Sequence, residues 1–348
     1  MRKVLVKLGA SVLIAAALMY WLSSQGFEVL PGLDEIGRVT AAWAVPVYVG
    51  LFSLFHVLRA WRWLFLLRPF ASVRFSTMME VAFVGFAAIQ MMPLRTGEVA
   101  RPYLLDRYAG ISKSALFGTI AIERVIDGLV VSLLLTAALF TVSADRSPLV
   151  WGLRIIPLSI FVAALTLLVA FYFRPRAVKA LIRGLCRIVS QKLAEVAIGV
   201  LERFHAGLSA LPSHRDFWAF VGMSILYWSI NGVGFYLLAR GCGIPLPVAG
   251  ALAGMGCLAV GILLPAGPGY FGNFQVAVLT AIEIYLPMAK RPSEIAVFVF
   301  LLYVLQTGLT VVFALGGVLR LKTKPVQSRP SKAITLQDSP LNDGLQPE

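Results

Sequence analysis

The feature that most constrains this chain is the repetition of apolar blocks about 20 residues long, the length a helix needs to cross a hydrocarbon core of about 30 Å. After an apolar N-terminal stretch they run at 41–67, 76–92, 115–142, 155–173, 217–239, 246–265, 274–287 and 294–319. A water-soluble fold cannot hide this pattern, because 59% of the 348 residues are hydrophobic and 14% are charged, against about 25% charged in soluble domains. The expected class is an all-α integral membrane protein. A formal net charge of +14 does not point to nucleic acid, since the Lys and Arg residues gather between the apolar blocks, where cytoplasmic loops carry them.

Three cysteines, Cys186, Cys242 and Cys257, form no CxxC pair, and His56, His205 and His214 stand at no metal-ligand spacing with them. No metal, cofactor, disulfide framework or Cys–His nucleophile is expected, and the cysteines read as small packing residues.

The N-terminus carries Arg2, Lys3 and Lys7 ahead of its apolar stretch, and Tyr20 and Trp21 stand where a signal peptide would need small residues. An uncleaved first span with a cytoplasmic N-terminus follows, its loop with Glu28, Asp34 and Glu35 outside.

The blocks differ in length, and the short ones decide the topology. Residues 102–114, PYLLDRYAGISKS, are too few and too polar to recross a bilayer, so block 76–92 is read as entering, stopping at Pro93 and returning on the same side. With that re-entrant hairpin, the basic segment holding Arg174, Arg176, Lys179, Arg183, Arg187 and Lys192 falls in the cytoplasm, as does the tail with Lys322, Lys324, Arg329 and Lys332.

A second hairpin resembles the first. GFAAIQMMPLRTGEVARPYLL at 85–105 and GCLAVGILLPAGPGYFGNFQVAVL at 256–279 are both broken by P-x-x-x-G, Pro93 to Gly97 and Pro265 to Gly269. Each is preceded and followed by a long block at a similar offset, and the charge count enters them from opposite sides. The reading is about six full spans plus two re-entrant hairpins in an inverted-topology repeat, an arrangement that places broken helices at the midplane of transporters. The organisation expected is a first helix and external loop over 1–40, and a first membrane half over 41–173 with its hairpin at 76–114. A basic amphipathic cytoplasmic segment follows over 174–216, then a second half over 217–320 with its hairpin at 246–290, and a disordered tail over 321–348.

Charges inside the apolar blocks mark the candidate site. Arg95, Glu98 and Arg101 lie in the first hairpin, and Glu123, Arg124 and Asp127 lie about 12–18 Å along the next span. Each ionised group at a helix centre costs about 2.5–3.5 kcal/mol, so six of them require pairing or a wet cavity. Glu123 and Asp127 share a helix face, and Arg124 is expected to reach Asp127 at i, i+3, with the hairpin supplying the rest. Two uses are open: arginines binding a phosphate with carboxylates holding them, or a purely structural ion-pair network. Arg59 and Arg62, beside Trp61 and Trp63, read either as interfacial snorkelling or as a lipid-headgroup entry site. Asn273, Gln275 and Gln306 either donate to a headgroup or join helices.

These segments, LRAWRW at 58–63, PLRTGEVARPYLL at 93–105, ERVID at 123–127 and LPAGPGYFGNF at 264–274, resemble the lysylphosphatidylglycerol synthase transmembrane-region family of flippase-like membrane proteins. The resemblance spans 41–320. It implies a lipid-handling module in a bacterial inner membrane, both termini cytoplasmic, without the aminoacyl-transferase portion of the bifunctional members. Position by position it marks Arg59, Arg62, Arg95, Gly97, Glu98, Arg101, Glu123, Arg124, Asp127, Pro265, Pro268, Gly269 and Gly272 as substrate-binding. The expected partners are membrane lipids, an anionic phospholipid or a lipid-linked intermediate, with lipid-synthesis enzymes as possible protein partners.

Three functions fit: translocation of an anionic lipid between leaflets, transfer chemistry on a membrane lipid, or an accessory role in lipid synthesis such as that of hopanoids. The chain has no Walker A, Rossmann glycine fingerprint or Ser/Cys-His-Asp arrangement, which favours the first.

Overall fold

A computed structural model describes residues 13, 15–24, 26–92, 97–142, 147–191, 195, 213–264, 267–287 and 290–325. Among these residues the chain is built from helices, with no strand. An N-terminal helix, α1, covers 15–24, and a short α2 spans Leu33–Val39. Next come α3, Ala44–Trp61, and, after one residue, α4, Trp63–Leu67. The first hairpin is α5, Phe75–Met91, and α6, Ala100–Ala109. It leads into α7, Lys113–Leu139, α8, Pro148–Phe173, and α9, Pro175–Val189. The second half has α10, His214–Gly241, α11, Val248–Gly261, a 3-10 turn at Pro268–Tyr270, α12, Asn273–Tyr285, and α13, Pro292–Lys322.

Four stretches are long and apolar enough to cross a bilayer: α3 with α4 over Ala44–Leu67, α8, α10 and α13. Helix α7 is as long, at 27 residues, but holds Glu123, Arg124 and Asp127. The hairpin helices α6, α11 and α12 have 10, 14 and 13 residues, about 15–21 Å at 1.5 Å per residue. Each is shorter than the apolar core it would have to cross. Ile155, Ile156, Ile160 and Phe173 on α8, and Val312, Leu315 and Leu319 on α13, point outward. A continuous apolar exterior of this kind fits lipid as its solvent. The tail beyond residue 325, where disorder is expected, and most of 192–212 lie outside the described residues.

Helix α8 begins at Pro148, seven residues earlier than the apolar block suggested. Arg154 interrupts that block in the sequence, yet it is buried. Its Nε and Nη2 donate to the Leu139 carbonyl at 3.2 and 2.7 Å, and its Nη2 to the Val142 carbonyl at 2.8 Å. It therefore satisfies carbonyls that the end of α7 leaves open.

The packing is reciprocal. Helix α3 lies against α10, its counterpart in the other half; α5 packs on α13, and α11 on α7. Each hairpin's first helix is thus held by the closing helix of the opposite half. The two breaks also meet, for the Tyr270 hydroxyl donates to the Ile89 carbonyl at 3.1 Å.

At the ends, Arg68 pairs with Asp216, and Lys324 reaches Glu80 at 2.5 Å and the Thr77 hydroxyl at 2.9 Å. The end where α4 leaves and α5 enters therefore carries Arg68, Arg74, Arg320, Lys322 and Lys324. Helix α9 places Arg176, Lys179, Arg183 and Arg187 along one face by its i, i+3, i+4 spacing, as the sequence reading expected.

Candidate functional site

In the first hairpin the returning chain lies directly against α5 at Gly97. A Cβ at Gly97 would sit 1.9 Å from the Ala88 carbonyl oxygen, so only glycine lets the returning chain touch α5. That contact brings Glu98 and Arg101 against α7. In the second hairpin, Gly269 and Gly272 have φ of +70° and +88°, which L side chains rarely adopt. Pro268 opens the 3-10 turn, and the Gln275 Oε1 accepts from the Gly272 N–H at 2.8 Å. These residues shape the backbone. Arg95 and Pro265 lie outside the described residues.

Four of the charges, Arg62, Arg101, Glu123 and Asp127, form one connected network, and Glu98 and Arg124 form a pair of their own. Arg101 donates from Nη1 and Nη2 to the two Glu123 carboxylate oxygens at 3.0 and 2.9 Å. Arg62 makes the same forked contact with Asp127, at 2.8 and 2.7 Å, and its Nη2 also lies 3.2 Å from Glu123 Oε1. Asp127 further accepts from the Tyr227 hydroxyl at 2.7 Å and from Trp228 Nε1 at 3.3 Å, while Arg62 donates to Ser224 Oγ at 2.8 Å. Both guanidinium groups are fully enclosed, Arg101 over the Trp63 ring at 3.9 Å and Arg62 over Tyr227 at 4.5 Å. Glu98 pairs with Arg124 at 3.4 Å.

Two sequence expectations are corrected by this arrangement. Arg62 neither snorkels nor stands at an entry: it has no exposed surface, because its side chain points inward, where both arms of the guanidinium meet Asp127. The i, i+3 pair of Arg124 with Asp127 is not among the contacts formed, since Arg62 takes Asp127 with ideal forked geometry and Arg124 turns to Glu98. The shared face of Glu123 and Asp127 is as expected, and both converge on Arg62.

Beside the network lies a cavity of about 460 Å³, within the usual size range of small-molecule sites. Arg59, Arg124, Glu98 and Asp127 border it, with Phe52, Phe55, Phe86, Phe161, Phe274 and Trp228 as apolar wall and Gln90, Ser132, Asn231 and Gln306 as polar lining. Of the four arginines, Arg62, Arg101 and Arg124 have carboxylate partners. Arg59 has none among the described residues, and lies over the Phe86 ring at 4.1 Å. The Nε atoms of Arg59 and Arg124 and the Ser132 hydroxyl are buried without a hydrogen-bond partner. Buried polar atoms left unsatisfied call for an explanation such as a ligand.

Sequence reasoning missed His56, Ser132, Ser224, Tyr227 and Trp228. A signal existed for the last three: Ser224, Tyr227 and Trp228 recur at i, i+3, i+4 on one face of α10. Of the polar residues singled out as possible headgroup donors, Gln275 caps its own helix, and Gln306 and Asn273 bond between helices. Gln306 Nε2 donates to the Tyr48 hydroxyl at 2.8 Å, and Asn273 Nδ2 to the Gly261 carbonyl at 3.4 Å.

Among the described residues the chain is thus an all-helical membrane protein in which a buried ion network lies beside a partly apolar cavity. A family model for the lysylphosphatidylglycerol synthase TM region matches residues 8–316, and the chain belongs to that family. It is also similar to the glycosyltransferase AglD of Haloferax volcanii, at 23% identity over 92% of this chain and 55% of that protein. The chain thus spans about half the length of that relative.

Proposed function

We propose that this protein binds an anionic phospholipid or lipid-linked intermediate in the cavity beside Arg59 and moves it between leaflets. The observation that carries the reading is the Arg59 guanidinium, which has no carboxylate partner among the described residues, at the wall of a largely apolar cavity, next to Arg62, Arg101 and Arg124, which are ion-paired. Arg59 and Arg124 hold the phosphate; Glu98 positions Arg124; the aromatic wall takes the apolar part of the lipid. Arg95 remains a candidate on sequence grounds. Arg62, Arg101, Glu123 and Asp127 hold the helices and fix the cavity's shape.

Proteoliposomes carrying fluorescent phosphatidylglycerol test this reading by chemical quenching of the outer leaflet. Losing a hydrogen bond to a charged partner costs about 1.5–3 kcal/mol, so Arg59→Gln should slow exchange about tenfold or more. The variant should fold normally, because no described carboxylate loses its partner. Exchange at the wild-type rate would overturn the assignment.

The topology proposed with it has six spans and the two hairpins re-entering from opposite faces. The end bearing Arg68, Arg320, Lys322 and Lys324 and both termini lie in the cytoplasm of a bacterial inner membrane. Single cysteines near Arg107 should be labelled only from the cytoplasmic face by a membrane-impermeant maleimide; labelling from outside would contradict the first re-entrant hairpin.

A second reading, a membrane transferase acting on a lipid-linked sugar, is favoured by the name of the similar glycosyltransferase. Glu98, at the cavity edge, would then be its candidate general base. An accessory role beside lipid-synthesis enzymes is a third.

A further inference from the structure

His56 is the one histidine at the cavity wall among the described residues, and it is buried at 2% exposure. Its Nδ1 lies 3.3 Å from the Phe52 carbonyl oxygen, and its Nε2 lies 3.2 Å from Thr310 Oγ1. The Thr310 hydroxyl also has the Gln306 carbonyl oxygen at 2.7 Å.

This geometry satisfies both charge states of the ring. In the neutral ring, Nδ1–H donates to Phe52 and Nε2 accepts the Thr310 hydroxyl proton. When Nε2 takes up a proton from water, it donates to Thr310 Oγ1 instead, and the hydroxyl rotates its own proton to the Gln306 carbonyl. The charged state gains the Thr310–Gln306 bond that the neutral ring forgoes, and neither ring nitrogen is left without a partner in either state. A buried imidazole with a fixed acceptor at one nitrogen and an amphoteric hydroxyl at the other can therefore change charge without local rearrangement.

What opposes the charged state is burial and the like charge of Arg59, three residues on and on the same face of α3. The other faces offer no competing charge in direct contact. From α5 come Phe83 and Phe86, from α13 Thr310 and Phe313, and from α3 itself Phe52 and Phe55. Tyr227 and Trp228 of α10 stand behind Phe55. Across the cavity are the Glu98–Arg124 pair and Asp127, which Arg62 holds. An anion seated at Arg59 removes the main repulsion.

We infer that His56 is a proton-binding site linked to the anion site at Arg59, so that lipid binding takes up a proton and transport is coupled to protons. The inference rests on the headgroup reading of Arg59. Linkage is reciprocal: if the anion favours His56 protonation, acid favours anion binding, by up to about tenfold per pH unit for one coupled proton.

The test uses phosphatidylglycerol, whose single phosphate charge is constant between pH 5 and 8 at about one, added to the purified full-length protein in weakly buffered detergent. Wild type should take up protons on binding, and its affinity should rise as pH falls. His56→Gln, which keeps a partner for Thr310, should abolish both effects while still binding. Thr310→Val, which removes the switching hydroxyl, should shift the pH profile. Proton uptake equal in wild type and His56→Gln, or none in a wild type that binds lipid in an Arg59-dependent way, overturns the coupling and leaves the headgroup reading intact. Binding indifferent to Arg59→Gln overturns both.

Discussion

Asp127→Ala should be the most damaging single change at the charge network. Asp127 receives both arms of Arg62, the Tyr227 hydroxyl and the Trp228 indole. Truncation strands the fully buried Arg62 guanidinium and leaves two aromatic donors without an acceptor. Breaking a buried pair from one side costs about 3–5 kcal/mol, a large share of the stability of a typical domain. Loss of yield and a marked fall in melting temperature in detergent are expected. Asp127→Asn keeps one oxygen for Tyr227 or Arg62 but not the charge, so it should fall between wild type and alanine. A variant that melts like wild type while losing lipid exchange would move Asp127 from the scaffold to the binding site.

Gly97→Ala is expected to open the first hairpin. The added carbon would lie 1.9 Å from the Ala88 carbonyl oxygen and 2.6 Å from the Ile89 nitrogen. These are backbone atoms in the last turns of α5 and cannot swing aside as a side-chain tip would. Overpacking of this kind costs about 1–3 kcal/mol and sometimes more. The displacement would carry Glu98 from Arg124 and Arg101 from Glu123, so its effect should exceed that of Glu98→Gln alone. Thermal melts of the two variants in the same detergent give the comparison. Equal melting temperatures for Gly97→Ala and wild type would show that the hairpin is not held by this contact.

Much of this arrangement was legible in the sequence, for identifiable reasons. Apolar length and the Pro and Gly breaks located most of the helices within a few residues, α8 excepted, because membrane helices must satisfy their backbone internally. The face shared by Glu123 and Asp127 follows from helical periodicity alone. The partner of Asp127 was not legible: Arg62 lies 65 positions away, and its neighbours Trp61 and Trp63 are the very residues that mark a membrane interface. Trp63 in fact stacks on Arg101. Arg154 was hidden for the opposite reason. A charge in an apolar run looks like a helix boundary, whereas this one sits inside a helix and closes the end of another. The cavity itself was invisible, since Phe86, Ser132 and His56 become neighbours only through tertiary packing.

The crossed packing of α5 on α13 and α11 on α7 makes the two halves mutual templates. Neither hairpin has, in its own half, the long helix that its first arm packs against most closely, so each half completes the other's shape. Two such halves as separate chains would have to pair to build the same interior. Joining them in one polypeptide fixes a one-to-one ratio and lets the two halves differ: the first carries the paired charges Arg62–Asp127 and Arg101–Glu123, the second the positive-φ glycines Gly269 and Gly272.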